Sequence, residues 1–271
     1  MTKTLIVPLD GSPDAERAVG PAATLARALG ADIRLVSAEW DGGAPRAGRY
    51  LNAVAALCGV SVIDTRVVAD VEPVRAIDAV VAESPEPAVV MATHGRGAVG
   101  AAVLGSVASG VVREVDAPVV LVGPNVLNVD AFETLVVPLD GSARSEAVLP
   151  TAEQWARTLD VPMRFLAVPE PSGIEGLYTV DDGFVLTEQR LERACVSMRD
   201  HGIDASYAIT PSLLPARAIV RFVRNMPHSL LCMSTHGRAG IARVAVGSVT
   251  MGVVRSAPCP VVCTRPRDLV G

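Results

Sequence analysis

The stretch Thr4-Leu5-Ile6-Val7-Pro8-Leu9-Asp10-Gly11-Ser12 occurs again as Thr134-Leu135-Val136-Val137-Pro138-Leu139-Asp140-Gly141-Ser142. Each copy is a short unbroken apolar run, the pattern of a strand buried on both faces rather than one alternating between core and water. Each ends on Asp-Gly-Ser, residue types that favour a tight turn. Residues 14–29 follow with helical periodicity, and Gly30 supplies a stop. A buried strand feeding a helix is the opening unit of a parallel sheet.

The same alternation continues. In the first copy, residues 33–37 predict a strand, 46–58 a helix, 60–68 a strand and 73–83 a helix opened by Pro73. Residues 88–92 predict a strand, 106–115 a helix and 118–122 a last strand. The second copy keeps this order from Leu135 to Thr264. Pro73-Val74-Arg75-Ala76-Ile77 returns as Pro215-Ala216-Arg217-Ala218-Ile219, and Gly110-Val111-Val112-Arg113 as Gly252-Val253-Val254-Arg255. Between its opening strand and these landmarks the second copy carries twelve more residues. The surplus is placed in residues 169–183, rich in Pro, Gly and Asp and read as a loop. The joint between copies falls at residues 123–132.

The expected fold class is α/β: two tandem doubly wound parallel five-stranded sheets, each with strand order 3-2-1-4-5. In that order a crevice opens at the carboxyl ends of the first and fourth strands. Those ends carry Asp10 and Thr93-His94-Gly95 in one copy, and Asp140 and Thr235-His236-Gly237 in the other.

A second repeated phrase lies there. Gly95 is followed after nine residues by Gly105-Ser106-Val107, and Gly237 after nine by Gly247-Ser248-Val249. Glycine lets a phosphate approach the backbone, and the start of a helix offers unpaired amides and the positive end of its dipole. Ser106 and Ser248 can donate to a phosphate, or serve only as helix caps. Asp10 and Asp140 can accept from a ribose hydroxyl or a base amino group, or face a metal, or simply hold an Asx turn. Arg96 and Arg238 reach phosphates or are solvated. His94 and His236 read as structural or exposed. Gly95-Arg96-Gly97-Ala98-Val99-Gly100 also fits GxGxxG, but the second copy breaks that pattern and Walker A is absent.

Composition bounds the rest. The chain has 271 residues, 50% hydrophobic and 3% aromatic, with a formal net charge of -5. That balance gives no general attraction to nucleic acid or to an anionic membrane surface. Five cysteines without a CxxC argue against a disulfide framework and for a cytoplasmic location. Cys232 and Cys263 read as buried, and Cys259, before Pro260, as exposed. No leader or membrane-spanning run is expected at the start of the sequence or within it.

These residues resemble the universal stress protein family in its tandem form, over almost the whole chain. The resemblance implies an adenine-nucleotide alpha-hydrolase-like fold, with domains at residues 1–125 and 132–271. It implies ATP binding, with or without Mg2+, through a motif G-x2-G-x9-G-[ST]. Gly95 and Gly237 match the second glycine; Gly105-Ser106 and Gly247-Ser248 match the closing pair. Ala92 and Ser234 stand where the family has its first glycine, so the two sites are expected to differ. The nucleoside carboxylate matches Asp10 and Asp140, and the backbone contact to adenine falls near Val36 and Leu166. In relatives the last strand pairs domains, so the two copies are expected to join through it and tandem chains to form a homodimer. The expected role is regulation of growth or survival under stress. No catalytic residue stands out; a nucleotide-free interaction or signalling module is the alternative, with a slow ATPase ranked behind it.

Overall fold

The computed structural model describes residues 2–39, 42–60, 62–95, 104–127, 129–171, 182–235 and 246–265. In the first half, β1 (Thr4–Pro8) leads through α1 (Pro13–Glu16) and α2 (Val19–Leu29) to β2 (Asp32–Glu39). Then come α3 (Ala44–Leu57), β3 (Val62–Ala69), α4 (Pro73–Ala82), β4 (Pro87–Ala92), α5 (Ser106–Glu114) and β5 (Val119–Val122). The second half repeats this as β6 (Thr134–Pro138), α6 (Ala143–Glu146), α7 (Leu149–Leu159), β7 (Met163–Ala167) and α8 (Asp182–Asp200). It closes with β8 (Ala205–Ile209), α9 (Pro215–Arg224), β9 (Ser229–Ser234), α10 (Ser248–Ser256) and β10 (Val261–Thr264).

The ten strands form one sheet in the order β3-β2-β1-β4-β5-β10-β9-β6-β7-β8. Each half has the expected order 3-2-1-4-5, with every pair inside a half parallel. The halves meet at β5 and β10, which pair antiparallel with Val262 opposite Val120. Two short apolar strands with open edges would invite foreign pairing, and closing them on each other removes both edges. Gly123 makes this approach possible: a β-carbon there would lie 2.0 Å from the Val254 carbonyl oxygen of α10. Across the same seam Asn125 Nδ2 donates to the Arg255 carbonyl at 3.1 Å, and Arg265 donates to the Arg113 carbonyl.

Helices cover both faces, as double burial of the central strands requires. One core cluster runs through Leu25, Leu35, Trp155 and Phe165 and crosses from one half to the other. The other includes Ile77, Val111, Val220 and Val253.

Two expectations need correction. The helix expected over residues 14–29 is two helices, α1 and α2, because residues 17 and 18 lie in a turn between them. The surplus of the second copy is not all loop. Helix α8 starts at Asp182 and runs 19 residues against 14 in α3, so part of the insertion lengthens a helix. Residues 172–181 of that insertion lie outside the described residues.

Candidate functional site

At the carboxyl end of β1 the chain turns on Gly11, whose φ of 79° favours glycine. Asp10 Oδ1 accepts from Ser12 N at 2.9 Å and Ser12 Oγ at 2.6 Å. Ser12 Oγ in turn accepts from Ala15 N at 3.2 Å and caps α1. Asp140 makes the same two bonds to Ser142 at 2.9 and 2.6 Å, and Ser142 caps α6. The Asx-turn reading therefore holds in both halves, and it pins each carboxylate in place rather than removing it from other work.

The end of β4 comes to the same spot. A β-carbon on Gly95 would lie 2.4 Å from Asp10 Oδ2. The chain then returns to β4 at Gly105, whose amide donates to the Thr93 carbonyl at 2.9 Å. A β-carbon on Gly105 would meet that carbonyl oxygen at 3.0 Å. In the second half Gly247 N donates to the Thr235 carbonyl at 2.6 Å, closing the equivalent loop. The Thr93 and Thr235 amides bond to Val122 and Thr264, so both loops are anchored to the last strand of their half.

Gly105 and Gly247 are the N-caps of α5 and α10, and neither helix start has a side-chain cap bond. The cap reading of Ser106 and Ser248 is thereby corrected. Each serine is the first helical residue, exposed, with Val107 and Val249 half-buried behind it. First-turn amides have no acceptor within their own helix, and a glycine cap supplies none. The arrangement presents bare N–H groups, a hydroxyl and the helix dipole to one point.

Val36 and Leu166 are buried. Their carbonyls accept from Leu9 N at 2.8 Å and Leu139 N at 2.9 Å, so both are spent in the ladder. The Glu39 carbonyl accepts from Asp70 N on the other side. Backbone polar groups alternate sides along a parallel strand. The next group facing the β1 side past its end is therefore Ala38, and its counterpart is Val168. The Val36 and Leu166 carbonyls, expected to lie near the adenine, are thus engaged within the sheet. A count along the sequence could not separate neighbouring positions of opposite direction.

Ala92 is buried with Ala88 and Val90 in the core cluster beneath α2, so its extra carbon is part of the packing. Ser234 is buried too. In place of the small Ala108 of the first half stands Thr250, whose Oγ1 donates to the Ser234 carbonyl at 3.1 Å. The two crevices thus differ in side chains at their back wall. His94 is half-buried, with Nδ1 2.9 Å from Thr93 Oγ1. Arg96, His236, Gly237, Arg238 and the GxGxxG stretch beyond Gly95 lie outside the described residues.

All five cysteines are buried, including Cys259, which the sequence had placed at the surface. Burial pushes the thiols of Cys259 and Cys263 up to about 12 and that of Cys232 upward as well. Among the described residues, no group of three His, Cys, Asp or Glu side chains is arranged to hold a metal, and no helix is long and apolar enough to cross a membrane.

The fold defines a tandem, doubly wound α/β protein with a topological switch point in each half. The universal stress protein family model matches residues 43–123 and again 131–265, and the chain belongs to that family. It is 29% identical over 185 residues to universal stress protein Rv2005c of Mycobacterium tuberculosis, a match over 65% of this chain. That match spans 61% of the relative's length. A universal stress protein from Archaeoglobus fulgidus superposes with a TM-score of 0.70 at 18% identity, covering 98% of this chain and 97% of the other. A Pseudomonas aeruginosa structure described as a putative universal stress protein gives 0.66 at 14%, over 98% and 94%. At such identities these likenesses speak for the fold.

Proposed function

We propose that each crevice takes an adenine nucleotide, ATP, and that its binding alters conformation or assembly so as to regulate growth or survival under stress. One observation carries the reading: the Asp10 carboxylate, pinned by Ser12, sits against Gly95 beside a helix start capped only by glycine. A carboxylate and a bare helix start side by side suit a ribose and a phosphate chain.

In this reading Asp10 and Asp140 accept from the ribose hydroxyls. Gly95, Gly105, Ser106 and Val107 receive the phosphates in the first half, and Gly237, Gly247, Ser248 and Val249 in the second. Arg96 and Arg238 add charge, and Ala38 and Val168 offer backbone groups to the adenine edge. Mg2+ would arrive with the triphosphate, taking phosphate oxygens, water and at most the one carboxylate of each crevice. The crevices differ in affinity because Ser234 and Thr250 stand in the second where Ala92 and Ala108 stand in the first. Residues 1–125 and 132–271 act as two domains of a cytoplasmic protein. A homodimer of such chains would need a surface other than β5 and β10, which are used within the chain.

The test is to denature purified protein, identify the nucleotide it releases, and repeat with Gly105→Ala and Gly247→Ala. Gly105 has φ of -54°, open to any residue, so the variant keeps its fold while its methyl crowds the loop. Adenine nucleotide in the parent and less in each variant is the expected result. Release of none, together with no calorimetric heat from added ATP, would favour the nucleotide-free interaction module.

A further inference from the structure

A groove of about 630 Å³ runs between α9 and α10 on the outer flank of the second half. It touches the nucleotide crevice only at its upper end, through Ser248 and Val249. Its charged lining is Arg217, Arg221 and Arg224 of α9 and Arg255 of α10, with no carboxylate among its walls. All four are exposed, and the chain as a whole is acidic at -5. Among the described residues, no ion pair holds the side chains of Arg217, Arg221 or Arg224.

The first half lacks this groove's chemistry. Arg221 and Arg224 correspond to Ala79 and Ala82. The floor differs as well. Val74 packs over Gly110 there, whereas Ala216 lies over Gly252 here, leaving a smaller side chain between the helices. The second half thus has two more arginines and a deeper floor at one place.

We infer that this groove is a docking site for an extended acidic peptide segment of a partner protein. Arg217, Arg221 and Arg224 follow one face of α9 at intervals of about 6 Å and 4.5 Å along the axis. An extended chain brings every second side chain to the same side at about 6.6 Å. Alternate carboxylates then meet successive guanidiniums, with charge-assisted bonds to each. The side chains between them face Ala216, Val220 and Val249 of the floor. Leu213 and Leu214, 74% and 54% exposed at the upper mouth, offer an apolar anchor. Single-stranded nucleic acid would want aromatic stacking partners, and the lining contains none.

The inference stands apart from the nucleotide reading, and its test keeps the two apart. A fluorescein-labelled dodecapeptide of alternating glutamate and leucine is titrated with the full chain, followed by anisotropy. Binding that weakens with added salt is expected, falling at least tenfold in Arg221→Glu/Arg224→Glu. The exposed position of both arginines leaves the fold intact, checked by circular dichroism and thermal unfolding. Arg75→Glu in the first half, or stripping of bound nucleotide, should leave peptide binding unchanged. No binding by the parent, or binding untouched by charge reversal, overturns the inference. So does tighter binding of a uridine oligonucleotide that displaces the peptide.

Discussion

The Asp10 carboxylate fills the space a Gly95 side chain would take, with Oδ2 2.4 Å from the point where a β-carbon would stand. Glycine at 95 is thus a condition for the carboxylate's position, linking the end of β1 to the end of β4. Gly95→Ala should displace Asp10 rather than unfold the chain, breaking its two bonds to Ser12. At about 1 kcal/mol each, that is a loss of ~2 kcal/mol in thermal or urea unfolding. ATP affinity of the first site should fall about tenfold, near 1.4 kcal/mol. Adding Asp10→Ala to Gly95→Ala should cost little more affinity, since both act on one contact.

Gly123 is a stricter case. A β-carbon there would lie 2.0 Å from the Val254 backbone carbonyl oxygen, a clash that no side-chain rotation relieves. Gly123→Ala should open the β5–β10 seam and cost ~3 kcal/mol or more, at the upper end for overpacking. Urea unfolding followed by Trp155 fluorescence in a Trp40→Phe background, with circular dichroism for the whole chain, should then show non-coincident transitions. A single transition at the parent's midpoint would contradict the seam as drawn.

The helix contacts on the second face give a reciprocal test. A β-carbon on Gly110 would meet Val74 Cγ2 at 2.5 Å. Gly110→Ala should destabilise by ~1–3 kcal/mol. Val74→Ala, the residue found at the matching place beside Gly252, should recover part of that loss in the double variant. Chemical denaturation of the four proteins checks the coupling.

The buried thiols predict a pH effect. Unfolded thiols ionise near 9.0, while Cys259 and Cys263 hold their protons to about 12 because burial penalises the thiolate. Their contribution to stability is intact below pH 9.0 and is lost as pH rises toward 12. The midpoint of urea unfolding should fall steadily across that window. At pH 8, all five thiols should react slowly with a disulfide reagent in native protein and rapidly in urea.

The sheet order was legible because β1 and β6 are unbroken apolar runs and the chain alternates strand and helix twice. The internal pairing of β5 and β10 was expected from the family resemblance, and two short apolar strands with open edges fit it. The break between α1 and α2 was not legible, since the apolar spacing runs through it. Cys259 was misplaced because the Pro260 beside it suggested a loop, yet β10 begins only one residue later and the loop is covered. Asp10 and Gly95 could be named separately, but their contact depends on where two distant strand ends meet. The direction of the Val36 and Leu166 carbonyls depends on ladder register, which periodicity does not set. The basic groove escaped notice because its arginines are spread over two helices and look like solvated surface in each.

The central claim is tested most directly by titrating nucleotide-stripped protein with ATP in a calorimeter, beside the Gly105→Ala/Gly247→Ala double variant. Saturable heat with more than one ATP per chain, lost in a double variant that still unfolds like the parent, is the predicted result. Absence of heat in the parent, or equal heat in the double variant, would contradict nucleotide binding at the two crevices.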